Sequence, residues 1–244
     1  MASKSHASIE DRYQNGIYLY SHLLTLLKYN PTAAVLQAAK IKLLINTVIT
    51  PLMTPYRDTK EIEKIARGIC DAVFDTIHDL AIEIRSESFE TFFGTDFYNN
   101  VNHYVRLITG ENVSRYSVTH PKKEDDPATP EDESEWTSVS QLDRESRLGN
   151  FKSLISLLTA KGEYDPEDND IKIPELQIVA VDAQAKLKDL SEKTVKATAA
   201  KTAVMIYFDG PDGLSEIAAR AKRNVKRNYG KDSPEYKALV NKAY

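Results

Sequence analysis

The chain has 244 residues, 41% of them hydrophobic and 28% charged, and its net charge is −4. This composition suits a folded chain with an ordinary core, and the charge excludes a global pull toward nucleic acid or an anionic membrane surface. Nine glycines and ten prolines are few for this length, which disfavours a many-turned β-sandwich and favours long helices.

The first predicted helix runs from about Ile9 to Lys28, with Tyr13, Ile17, Tyr20, Leu24 and Leu27 forming one apolar stripe. Asn30 and Pro31 have the chemistry of a new helix start. That second helix is expected to stop near Thr50, because Pro51 and Pro55 cannot continue it. Asp58 and Glu61 then match a capping box, and Ile62, Ile65, Ile69, Val73, Ile77, Leu80 and Ile84 keep a helical rhythm. The segment reaches Phe93 as one very long helix or as two kinked at Gly68; Gly94 ends it, and a short helix spans about Phe97–Ile108. Cys70 lies within the long stretch and reads as a small buried hydrophobe.

Glu124–Glu135 (EDDPATPEDESE) carries seven acidic residues, two prolines and no large apolar side chain, so it reads as a linker. The predicted organisation is a bundle over 1–112, an acidic linker over 113–140 and a second bundle over 141–244. In the second half, Phe151, Leu154, Ile155 and Leu158 line a helix ending before Gly162. Pro174 opens another helix through Leu190, and Ser191 is placed to cap a further one whose inner face is Val195, Ala199, Thr202 and Ile206. DGPDG at Asp209–Gly213 breaks it, with Asp212 placed to cap the helix from Leu214 to Tyr229. Gly230 ends that helix, and Ser233–Pro234 starts a terminal one.

HLLTLLKYNP at His22–Pro31 is echoed by SLLTAKGEYDP at Ser156–Pro166. Thr25 matches Thr159, Pro31 matches Pro166, and Leu36-Gln37 is set against Leu176-Gln177. Phe74-Asp75 matches Phe208-Asp209, Leu80 matches Leu214, and FFGTD at Phe92–Asp96 matches NYGKD at Asn228–Asp232. The order is preserved, so the expected fold is all-α: two related antiparallel helical bundles made by tandem duplication.

No residue pattern points to catalysis. Asp71, Asp75, His78 and Asp79 lie at near one-turn spacings and resemble half of a carboxylate–histidine metal site, but the matching segment FDGPDGL has no histidine. Asp165, Asp168 and Asp170 share a loop that lacks the glycine and glutamate of a calcium loop, and Gly210–Gly213 fits neither phosphate-binding glycine pattern. No cofactor and no metal is expected. Arg220, Lys222, Arg223, Lys226, Arg227 and Lys231 form a basic stripe opposite Leu214, Ile217, Ala218, Ala221 and Val225. Arg220, Arg223, Lys226 and Arg227 are therefore candidate partner-binding residues, for an acidic partner or nucleic acid. Tyr98 and Tyr236, which follow the repeated Gly-containing stops, are candidates for a protein interface.

The ending Tyr229, Gly230, Ser233, Pro234, Tyr236 and Lys237 resembles the C-terminal part of a group of uncharacterised bacterial helical proteins. The resemblance covers about thirty residues, implies a helical fold and carries no activity or site residues. The expected function is a non-enzymatic scaffold or protein-interaction module, with an unknown protein or a second copy as partner. Nucleic-acid binding and a metal-binding bundle around Asp71–Asp79 are the alternatives. No apolar run approaches the roughly 20 residues of a membrane span. The lone cysteine and the absence of a signal-like apolar stretch in MASKSHASIEDR lead to a cytoplasmic expectation.

Overall fold

A computed structural model describes residues 8–111 and 143–244, and the described residues are helical, with no strand among them. The predicted linker over 113–140 therefore lies outside the described residues. Among the described residues eight α-helices follow in order: α1 (Ile9–Thr25), α2 (Ala38–Leu44), α3 (Thr50–Phe92), α4 (Asp96–Thr109), α5 (Arg144–Lys161), α6 (Ile173–Asp209), α7 (Leu214–Tyr229) and α8 (Pro234–Val240). Most ends are capped by chemistry visible in the sequence. Ser8 and Asp11 form a reciprocal capping box on α1, while Thr95, Asp143 and Ser233 cap α4, α5 and α8 through their side chains. Gly94 and Gly162 take positive φ values of 79° and 68° where α3 and α5 stop.

The long helices are longer than the prolines and caps suggested. Pro31 starts no helix; a short 3₁₀ turn at Ala34–Leu36 precedes α2. Pro51 does not end the next helix, because α2 passes through a π-helical segment, Ile45–Ile49, straight into α3. There the Thr50 N–H reaches back five residues to the Ile45 carbonyl, and the Thr50 hydroxyl donates to the same oxygen at 2.8 Å. This wider turn eases the clash between the proline ring and the preceding carbonyls that makes proline a helix breaker. Asp58 and Ser191, expected at helix starts, lie inside α3 and α6. Asp212 caps nothing: Gly213 takes the N-cap position of α7, and Asp212 occupies a left-handed turn with φ 54°.

The described residues form two compact units, cut differently from the expected bundles over 1–112 and 141–244. The first unit combines residues 1–64 with 192–244, and the second is 65–191. Each unit has one hydrophobic core. In the first, Leu19, Leu23, Ile41, Ile45, Ile49 and Met53 pack with Val204, Phe208, Leu214 and Val225. Gly16 lets α1 approach closely there, since an added Cβ would stand 2.6 Å from Leu214 Cδ2 and 3.3 Å from Ile45 Cδ1. In the second, Cys70, Phe74, Ile77 and Ile84 pack with Val101, Val105, Phe151, Leu154, Leu158 and Leu176. Cys70 is fully buried, as expected of a small hydrophobe, and burial pushes its thiol pKa up.

The inner faces of the long helices differ from the expected stripes. On α3, Ile77, Leu80 and Ile84 are buried as expected, but Ile62, Ile65 and Ile69 are about half exposed and Ala66, Cys70 and Phe74 are buried in their stead. On α6, Val195 and Ile206 are exposed while Ala197, Val204 and Phe208 are buried. A long helix offers several apolar lines, and periodicity alone picks the bulkier one.

Burial recurs along the chain with a fixed offset. Tyr13 and Leu148, Leu19 and Leu154, Leu23 and Leu158, Leu36 and Ile171, Ile41 and Leu176, and Ile45 and Ala180 are buried pairs 135 positions apart. After the π segment the offset is 134, pairing Ile49 with Ala183, Tyr56 with Leu190, Cys70 with Val204, Phe74 with Phe208 and Leu80 with Leu214. The π segment is the one-residue difference. By this offset Leu36 pairs with Ile171 and Ile41 with Leu176, whereas the local sequence match set Leu36 against Leu176.

Candidate interaction surfaces

Two tyrosine-closed loops follow α1 and α5. The Tyr29 hydroxyl donates to the Leu36 carbonyl at 2.5 Å, and the Tyr164 hydroxyl donates to the Ile171 carbonyl at 3.2 Å. Both span seven residues, and desolvation raises both phenol pKa values, that of Tyr29 to about 12. Pro31 and Pro166 are buried beside them. The repeated phrase Tyr-Asn/Asp-Pro is therefore the signature of a closed loop.

Two arginines, also 135 positions apart, pack on Phe208 and Phe74, the first at the turn that ends α6 and the second beside the middle of α3. Arg12 forms a two-pronged ion pair with Asp209, donates to Ser215 Oγ at 2.8 Å and lies over the Phe208 ring at 4.7 Å. Its hydrogen bonds hold the Asp209 carboxyl below the ordinary value of 3.8. Arg147 lies over the Phe74 ring at 5.5 Å and donates to the Phe74 carbonyl at 3.0 Å. Its Nε is buried without a partner, and burial lowers its pKa. Sequence reading missed both arginines, although each directly precedes a buried residue of its helix, Tyr13 or Leu148, and each faces a Phe-Asp pair.

The candidate metal residues are used otherwise. Asp71 pairs with Arg144, and His78 Nδ1 lies 3.2 Å from its neighbour Asp79. Asp75 lies near enough to Arg147 to favour its charged form, though burial wins. Among the described residues no three His, Cys, Asp or Glu side chains converge as metal ligands would.

The basic residues of α7 divide into two sets. Arg220 lies 3.4 Å from Asp212 and 3.8 Å from Glu216. The Lys222 ammonium donates to the Lys242 carbonyl at 2.7 Å and covers the Tyr244 ring at 4.6 Å. These two anchor the turn before α7 and the segment after α8. Lys226 lies 6.0 Å from the Tyr236 ring. Arg223 and Arg227 are exposed, one helical turn apart, and neither forms an ion pair among the described residues.

Tyr98 belongs to a cluster that the sequence did not reveal. Its ring meets Phe89 edge-on at 5.6 Å and stands 6.1 Å from Phe93, while Phe89 and Phe93 are 4.7 Å apart. Phe89 is 48% exposed and Phe93 68%. They lie one turn apart on α3, whereas Phe92 between them is buried. That three-phenylalanine spelling, one inward and two outward, was the available signal.

No family model, curated protein or solved structure matches this chain. No helix among the described residues is long and apolar enough to cross a membrane.

Proposed function

We propose that the chain is a non-enzymatic helical scaffold or protein-interaction module, built by duplication of one helical unit into two related antiparallel bundles. The matched tyrosine-closed loops, the matched arginines and the constant burial offset support the duplication. The single observation supporting the function is the cluster of Phe89, Phe93 and Tyr98. Two phenylalanines held in water against a tyrosine form the sort of aromatic patch that a protein interface covers. The reading includes a cytoplasmic location, for which the lone buried Cys70 is the support.

The immobilised full chain should retain a defined protein partner at moderate salt and lose it when Phe89 and Phe93 become Ser. Retention of no protein, with salt-sensitive binding of random DNA or RNA that weakens in Arg223→Gln/Arg227→Gln, would move the function to the second reading. The exposure of those two arginines without ion pairs favours that reading over the remaining one, a metal-binding bundle around Asp71–Asp79. Stoichiometric metal in the purified chain would select the last.

A further inference from the structure

The C-terminal stretch of α3 and the helix α7 occupy corresponding places in the two units. Leu80 and Leu214 are buried 134 positions apart, as are Ile84 and Ala218. The same offset carries Phe89 onto Arg223 and Phe93 onto Arg227, and all four are exposed. The fold therefore asks nothing specific of these positions: the same place on the same kind of helix tolerates a phenyl ring in one unit and a guanidinium in the other.

What the fold does not require, the surfaces can use. The two pairs are chemically complementary, because a guanidinium stacks on an aromatic face and the attraction strengthens as water leaves the contact. They also match in spacing: each pair is separated by four residues, about 6 Å along its helix. The surrounding charges have opposite sign. Glu83 and Glu90 are exposed two turns apart beside the phenylalanines and form no ion pair among the described residues, whereas Lys226 and Lys231 are exposed around the arginines.

We propose that the chain associates with itself head to tail, the Arg223–Arg227 face of α7 in one copy docking on the Phe89–Phe93 face of α3 in a second copy. The proposal rests on the interaction-module reading above and gives it a partner. Each copy carries one of each face, so the contact is heterologous and propagates into open chains unless a ring closes.

Light scattering and sedimentation velocity test this with the full chain. The mass should rise above the 27.5 kDa of one chain as concentration increases a hundredfold, and fall back as salt is added. Phe89→Glu/Phe93→Glu and Arg223→Glu/Arg227→Glu should each remain monomeric with unchanged helical circular dichroism, since all four residues are exposed. Mixed, the two variants should form a one-to-one dimer that grows no further, because each retains the face the other needs. A wild-type chain that stays monomeric throughout, variants that still assemble, or a mixture that never dimerises would each overturn the proposal. If wild type is monomeric yet retains a foreign partner that Phe89→Glu/Phe93→Glu loses, self-association falls and the interaction module stands. If it retains none, both fall.

Discussion

Tyr29 and Tyr164 each donate a phenolic proton to a carbonyl seven residues on, and both phenols are largely removed from water. Tyr29→Phe should cost about 1 kcal/mol by urea denaturation, as should Tyr164→Phe, because each leaves a carbonyl without its donor. The pH dependence has a definite sign. The Tyr29 phenol rises from 10.0 to about 12 in the fold, so its share of stability is complete below pH 10 and disappears as pH climbs through 12. Alkaline unfolding monitored by circular dichroism should begin in that window, and Tyr29→Phe should blunt the dependence. Arg12 acts at the acid end: it favours ionised Asp209, so that pair's stabilisation is full above about pH 4 and fades below. Arg12→Lys should lower stability by about 2 kcal/mol, since an ammonium can neither bridge both carboxylate oxygens nor lie flat over Phe208. Such roles were only half legible. The Tyr-Asn/Asp-Pro repetition showed where the loops are, but nothing in a single sequence says that an arginine near residue 12 faces an aspartate near residue 209.

The helices show the same division between local chemistry and register. Gly94, Gly162 and Ser233 were readable because caps and stops act within a few residues. Pro51, Asp58 and Ser191 misled because a helix held by packing overrides local preference. The π segment at Ile45–Ile49 was invisible to pattern reading, since one surplus residue leaves no compositional mark. It makes a sharp prediction. Deleting the exposed Asn46 should cost little, because the corresponding stretch of α6 already runs without that residue and the flanking core positions keep their faces. Deleting the exposed Ala72 from the regular part of α3 should instead rotate the following residues by about 100° and abolish cooperative unfolding. Thermal melts of the two deletions provide the comparison. The inward and outward phenylalanines of Phe89–Phe93 were obscured for a related reason: the apolar lines on α3 diverge, and only the packed structure shows which one is covered.

Across the molecule, both units draw on both halves of the chain. Residues 1–64 complete a core with 192–244, and residues 65–111 share theirs with the segment from 143 to 191. A bundle-then-bundle arrangement was the simpler reading of the sequence, which cannot distinguish two halves that fold separately from two halves that exchange parts. The distinction is measurable. A protease site inserted between Lys123 and Glu124 should give two fragments that elute together on gel filtration and part only in denaturant. Fragments that separate freely in native buffer would argue for self-contained bundles. The positions paired by the constant offset are buried in both units, whereas Phe89 and Phe93 on α3 and Arg223 and Arg227 on α7 are exposed and differ in chemistry.

The interleaving also fixes a timetable on the ribosome. The greasy side of α1 leaves the exit tunnel well before Val204, Phe208, Leu214 and Val225, which cover it, are translated. At elongation rates of about 5–20 residues per second, that face waits roughly ten seconds or more for its cover. The middle of the chain can close in the meantime. Nascent chains stalled before residue 192 should accordingly recruit holding chaperones through their opening segment, and full-length release should dismiss them.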